Sequence, residues 1–134
     1  MMDIIMILSN INNYFDFKEI HTLCPFGQND MFSIVNILSE VLFASEGLKN
    51  FLGITDEEII GKSSYDFTLQ VENHEISETH GKLITEIGIV TKIKFRLIHK
   101  SGELFWVEST AKSFTQKNSE DTMFFCLMKQ IHCF

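Results

Sequence analysis

Residues 91–111 read TKIKFRLIHKSGELFWVESTA, and this stretch decides the fold class. Thr91, Ile93, Phe95 and Leu97 alternate with Lys92, Lys94 and Arg96, the two-residue period of a strand with one buried face. His99, Lys100, Ser101 and Gly102 supply a turn with a glycine free to take a positive φ. Phe105, Val107, Ser109 and Ala111 then form the inward set of a returning strand, opposite Trp106, Glu108 and Thr110. After a polar loop from Lys117 to Asp121, a further strand from Thr122 to Ile131 turns Phe124, Cys126 and Met128 inward if Lys129 faces water. Consecutive strands joined by hairpins are antiparallel.

Toward the N-terminus, Glu75 to Ile87 carries Ile76, His80, Leu83, Ile84 and Ile87 on one stripe, with Gly88 at the stop position. That spacing predicts a helix. Thr55-Asp56-Glu57-Glu58 has capping-box form and opens a short helix over Asp56 to Ile60, stopped by Gly61. Ser45 is an N-cap candidate for another, Glu46 to Leu52, ended by Gly53, and Ser63 to Phe67 adds a turn. Met31 to Leu38 and Val41 to Ala44 read as strands of a hairpin around residues 36–40. The order is two strands, short helices, one longer helix and three strands. It predicts an α+β domain, a five-stranded antiparallel sheet with short helices on one face.

Residues 1–30 stand apart. Ile4, Ile7, Leu8, Ile11, Tyr14 and Phe15 recur at helical spacing, opposite Asn10, Asn12, Asn13 and Asp16. An amphipathic helix from Asp3 to Phe17 is expected, followed by a connector from His21 to Asp30. Burying such a stripe contributes on the order of 10 kcal/mol, at about 1.5–3 per side chain, so it must dock on something. The division is thus an N-terminal helix and connector over 1–30 and a folded domain over 31–131.

Composition excludes several classes. The chain of 134 residues is 45% apolar and 22% charged, ordinary globular usage rather than disorder. A net charge of −7 and a lone arginine, Arg96, argue against a nucleic-acid surface, which draws its affinity from clustered cations. The run Ile4 to Leu8 is far too short to span a bilayer and lacks a basic flank, so neither a membrane span nor a secretory signal is expected. Cys24, Cys126 and Cys133 form no metal or redox pair and read as reduced thiols of an intracellular protein, cytoplasmic or nuclear.

Phe43-Ala44-Ser45-Glu46, Asn50-Phe51-Leu52-Gly53, Glu57 to Ser63, Tyr65-Asp66-Phe67, and Lys100-Ser101-Gly102-Glu103 with Phe105-Trp106-Val107 together resemble a PAS domain. The similarity is to the PAS domains of fungal-type signalling and transcription regulators, and it runs over residues 31–131. It implies a module of sensing, signal transduction or interaction. Helices and concave sheet face would enclose a pocket, and the outer sheet face would serve dimerisation.

The residues implied for that pocket are Phe51, Leu52, Ile60, Phe67, Ile84, Phe95, Leu97, Phe105, Val107 and Met128. Aromatic side chains at strand and helix spacing pack against one another, so a filled core or a small cavity is expected, holding at most a small apolar ligand. Light-oxygen-voltage relatives add a flavin to a cysteine near residues 65–69, but no cysteine stands between Cys24 and Cys126. Positions matching their flavin-reading amides are Leu97, Val107 and Met128, whose apolar side chains would leave the ring's polar edge unpaired. Flavin is therefore not expected. Haem-binding relatives use a histidine of the longer helix, which makes His80 the candidate for a cofactor ligand; the plainer reading of His80 is a half-buried core histidine.

No catalytic or metal site is expected. Glu57 and Glu58, and Glu72, Glu75 and Glu78, flank helix starts, where carboxylates suit the dipole, and no nucleophile accompanies them. Association is the favoured role. Val90, Ile98, Trp106 and Leu127, with Met123 or Phe125, would lie on the solvent side of the sheet, more apolar surface than a lone monomer exposes. The N-terminal residues Ile4, Ile7, Leu8, Ile11 and Phe15 would cover this face or pair with a second copy. The partner expected is a second copy or another PAS-containing regulator.

Overall fold

A computed structural model describes residues 21, 26–27, 29–86, 88–115 and 120–132. The N-terminal helix expected over residues 3–17 lies outside them, as does most of the polar loop at 117–121.

The first hairpin joins β1 (Met31–Asn36) to β2 (Val41–Ala44). β1 ends two residues before the expected Leu38 because the Asn36 side chain closes the turn. Its Oδ1 accepts from the Leu38 and Glu40 amides, both at 3.0 Å, and Ser39 takes a positive φ of 64°. Helix α1 (Glu46–Leu52) and helix α2 (Asp56–Ile59) follow. Ser45 caps α1, and Gly53 closes it in the left-handed region at φ 75°. At Thr55 the backbone amide donates to the Glu58 carboxylate at 3.2 Å. Lys49 ties the two helices by reaching Glu46 at 2.7 Å and Asp56 at 2.8 Å.

After a 3-10 turn over Ser64–Phe67 comes α3 (Gln70–Thr85). It begins five residues before the expected Glu75, since Glu75 minus Gln70 is five positions. The early start carries no sequence signal: Leu69 caps without a side-chain bond, and Val71 points to water. Strands β3 (Thr91–Ile98), β4 (Leu104–Thr115) and β5 (Thr122–Gln130) complete the chain.

The sheet is five-stranded in the order β2-β1-β5-β4-β3, with every neighbouring pair antiparallel. Its inner face presents Val35, Phe95, Leu97, Val107, Phe124 and Met128 to Leu48, Leu52, Ile59, Ile76 and Leu83 of the helices. A second apolar cluster of Phe26, Phe32, Ile34, Met123 and Phe125 lies on the opposite face, with Leu42, Phe43, Phe114 and Leu127 packed against it. The sheet thus buries apolar side chains on both sides. That accounts for strands whose burial runs unbroken through Phe32–Val35 and Met123–Cys126 instead of alternating.

Both sheet borders are occupied. Along β2, the Val41 amide donates to Lys62 O at 2.9 Å, and the Gly61 and Ser64 amides donate to Val41 O and Ser39 O, both at 2.8 Å. Along β3, Thr68 bridges Leu97, and the Arg96 amide donates to Glu72 at 2.9 Å. Among the described residues no helix is long and apolar enough to cross a membrane.

Candidate functional site

Between helices and sheet lies a partly open cavity of about 60 Å³. Ligand pockets for drug-sized molecules run to about 300–1,000 Å³, so this one is small. Of the residues expected to line it, Leu52, Phe67, Phe95, Leu97 and Met128 do. Val107 is packed into the core beside it with no exposed surface. Phe51 and Phe105 form their own edge-to-face pair, ring centroids 5.3 Å apart, and stand outside the lining.

Two expectations are overturned. Ile60 is 39% exposed and Ile84 is 47% exposed, so neither reaches the cavity. α2 ends at Ile59, whose side chain is the one that turns inward. On α3 the inward residues are Ile76, His80 and Leu83, and Ile84 falls one helical step past that stripe.

The cavity also has a polar share that an apolar-pocket reading misses. Ser33, Ser64, Thr68, Ser109 and Tyr65 line it, with the Cys126 thiol. Ser109 and Cys126 were legible as inward by strand alternation. The Thr68 hydroxyl is already engaged, bonding to the Asn73 side chain.

His80 is the distinctive member. It lines the cavity from α3 and tilts onto Phe124 with ring centroids 5.1 Å apart. Burial pushes its imidazole down to about 4, so it is neutral at neutral pH. Its Nδ1 is buried and has no hydrogen-bond partner among the described residues, a deficit worth about 1–3 kcal/mol. A haem ring is far larger than this cavity, and its space is taken by the side chains that make up the core. The site does not fit haem, and His80, expected as an axial ligand, is instead a half-buried histidine on the cavity wall.

The α1 end of the site is fastened to the chain that precedes the sheet. The Ser45 hydroxyl accepts from Phe32 N at 2.9 Å and Leu48 N at 3.2 Å, and donates to Asp30 O at 2.8 Å. Beside it, a Cβ on Gly47 would lie 2.5 Å from Asn29 O, so backbone passes over backbone at that point. Leu48 and Leu52 of the same helix line the cavity.

On the outer face, Arg96 and Trp106 are cross-strand partners. The guanidinium sits 4.9 Å from the indole centroid while its Nε donates to Glu72 at 3.1 Å. Trp106, Ile98 and Leu127 are half-buried, and Val90 is 47% exposed. Met123 and Phe125, expected on the solvent side, are instead buried in the second cluster beneath Phe26 and its neighbours. Ile4, Ile7, Leu8, Ile11 and Phe15 lie outside the described residues.

Comparison with known proteins adds the following. A family model described as the PAS fold matches residues 41–125. Hypoxia-inducible factor 1-alpha of Gallus gallus is 28% identical over 86 residues, which cover 63% of this chain and 10% of that protein. The chain thus spans about a tenth of the length of the curated relatives it matches. Among solved structures, the wild-type Drosophila melanogaster Cycle PAS-B with bound ethylene glycol has a TM-score of 0.66 at 17% identity, covering 75% of this chain and 99% of that one. A fungal LOV domain photoreceptor has a TM-score of 0.71 at 13% identity, covering 87% and 92%. These structural likenesses concern the fold.

Proposed function

The chain belongs to the PAS family, and on that premise we propose that it is a non-catalytic interaction module that pairs through the outer face of its sheet. The partner is a second copy or another PAS-containing regulator. PAS domains as a family are sensing and interaction modules of signalling proteins. The observation that carries the finer reading is the second apolar cluster. A sheet with helices on one side needs polar residues on the other, yet Phe32, Ile34, Met123 and Phe125 stand there. Farther along that face, on β3 and β4, Ile98 and Trp106 are half-buried and Leu104 is exposed, apolar surface on which a partner can seat. Its working principle is a population shift, in which a partner or a cavity occupant favours one packing of the sheet face over another.

Size-exclusion chromatography of the full chain with light-scattering detection tests this. The wild type is expected at twice the mass of one chain, and an Ile98→Glu, Leu104→Glu double variant at the mass of one. A wild type at single mass throughout, unmoved by the substitutions, would overturn pairing with itself through this face.

A second reading is favoured by the cavity and the unpartnered Nδ1 of His80. Under it, the module senses a small molecule between helices and sheet. Cavity occupancy would then act on the sheet through α1, whose Leu48 and Leu52 line the cavity.

A further inference from the structure

We infer that residues 4–15 lie across the second apolar cluster of their own chain and hold it closed, so that a partner meets only the β3–β4 end of the outer face until this segment is displaced. The inference rests on the pairing reading above and specifies how that surface is regulated. Burial comes first. Phe32, Ile34, Met123 and Phe125 are at most 5% exposed, although α1, α2 and α3 all pack on the other face of the sheet. Phe43, Phe114 and Leu127 belong to β2, β4 and β5 themselves, so they flank the cluster and do not roof it. Among the described residues that leaves Phe26, whose ring lies 4.5 Å from that of Phe32 and 5.5 Å from that of Phe125. The cluster crosses the neighbouring strands β2, β1, β5 and β4, a width of about 14 Å at about 4.8 Å per strand spacing. One phenyl ring cannot cover that width, and more of the chain must lie above it.

The path of the chain supplies the occupant. Backwards from Phe26 it reaches His21, whose Nε2 lies 3.0 Å from Phe26 O and whose ring meets the Phe26 ring edge to face at 5.0 Å. Residues 1–20 therefore lead off from above this cluster. They carry Ile4, Ile7, Leu8, Ile11 and Phe15 at spacings of three and four, a set that one side of a helix would gather. From Ile4 to Phe15 that side would run about 16 Å at 1.5 Å per residue, a match to the width of the cluster. Only residues 16–20 separate Phe15 from His21. So short a tether keeps the segment near its own sheet at an effective concentration in the millimolar range, far above that of a second copy. Ile98, Leu104 and Trp106 lie past the cluster on β3 and β4 and stay open to a partner.

The test uses the full chain carrying Leu8→p-benzoylphenylalanine, with ¹⁴N- and ¹⁵N-labelled copies unfolded and refolded together, irradiated, and mapped by mass spectrometry. Crosslinks from position 8 to residues of the second cluster are expected, each within a single label. Mixed-label crosslinks would make the occupant the segment of a second copy, and crosslinks elsewhere or none would leave the cluster without this cover. Either result overturns the inference. The same substitution at Ile11 serves if the Leu8 variant does not fold. Ile7→Ser with Ile11→Ser is then expected to tighten pairing at least about tenfold in a light-scattering dilution series, because the bared cluster joins the contact. Pairs that form as before, or more weakly, overturn the regulation even where the single-label crosslinks stand. If wild type and variant both stay at the mass of one chain while those crosslinks form, the pairing reading falls and the cover over the cluster stands.

Discussion

Glu72 accepts two hydrogen bonds from Arg96, one from its backbone amide at 2.9 Å and one from its guanidinium Nε at 3.1 Å. A single carboxylate in the first turn of α3 therefore satisfies a border amide of β3 and steadies the cation that lies over Trp106. Charge-assisted bonds to a carboxylate with 15% of its side chain exposed are stronger than those at an open surface. Glu72→Ala is expected to lower stability by about 1–3 kcal/mol. Urea titration followed by Trp106 fluorescence checks this, because the chain has only that one tryptophan. An unchanged midpoint would show that the contact is idle.

Gly47→Ala sets helix propensity against close approach. Alanine is favoured over glycine within a helix by about 1 kcal/mol, but its Cβ would stand 2.5 Å from Asn29 O and 2.7 Å from Asp30 O. Both are backbone atoms and neither can swing aside, so the connector must lift from α1. Net destabilisation of about 1–3 kcal/mol is expected, read as a lower thermal midpoint. A stabilised variant would mean that this backbone contact does not form.

Ser45→Ala removes the acceptor of two buried amides, Phe32 N and Leu48 N, and the donor to Asp30 O. Loss of an N-cap alone costs about 1 kcal/mol, and an unsatisfied buried amide adds about 1–3. The expected loss is about 2–4 kcal/mol in denaturant unfolding. Ser45→Thr is expected to retain most of the stability, which separates loss of the hydroxyl from a change in bulk.

His80 links stability to acidity. Its folded value of about 4 lies below the ordinary 6.5, so between those limits the unfolded chain binds the extra proton. Its contribution is complete above pH 6.5 and declines as pH falls toward 4. The full loss is on the order of 3 kcal/mol. Comparing urea midpoints of wild type and His80→Gln at neutral and acidic pH isolates this from the carboxylates. The wild type is expected to show the steeper acid loss, and parallel curves would refute a neutral buried imidazole.

Much of this architecture was legible in residue spacing. The alternation of 91–98 and 105–111 gave β3, β4 and the inward residues of each. Ser45 with Gly53 bounded α1, because a cap and a left-handed stop are local signals. The start of α3 was hidden: Leu69 offers no capping side chain, and what holds that turn is Glu72 reaching a strand 24 positions away. The same kind of distant contact decided the outer face, where alternation correctly set Met123 and Phe125 opposite Phe124 but could not tell whether that side is wet. Within the cavity, apolar periodicity drew attention to Ile60 and Ile84. The structure turns Ile59 inward instead of Ile60, and on α3 it keeps Ile76 and His80 of the expected stripe in the lining while Ile84 falls outside it.

The occupied borders of the sheet limit how molecules of this kind can come together. β2 is shielded by the loop carrying Gly61 and Ser64, and β3 by Thr68 and Glu72, with Lys92 and Lys94 along the rest of that strand. Copies that cannot lend each other a ribbon do not zip into open-ended fibres. Under the pairing proposed above, contact is left to the broad outer face, where a twofold contact would consume the patch it uses and growth would stop at a closed pair.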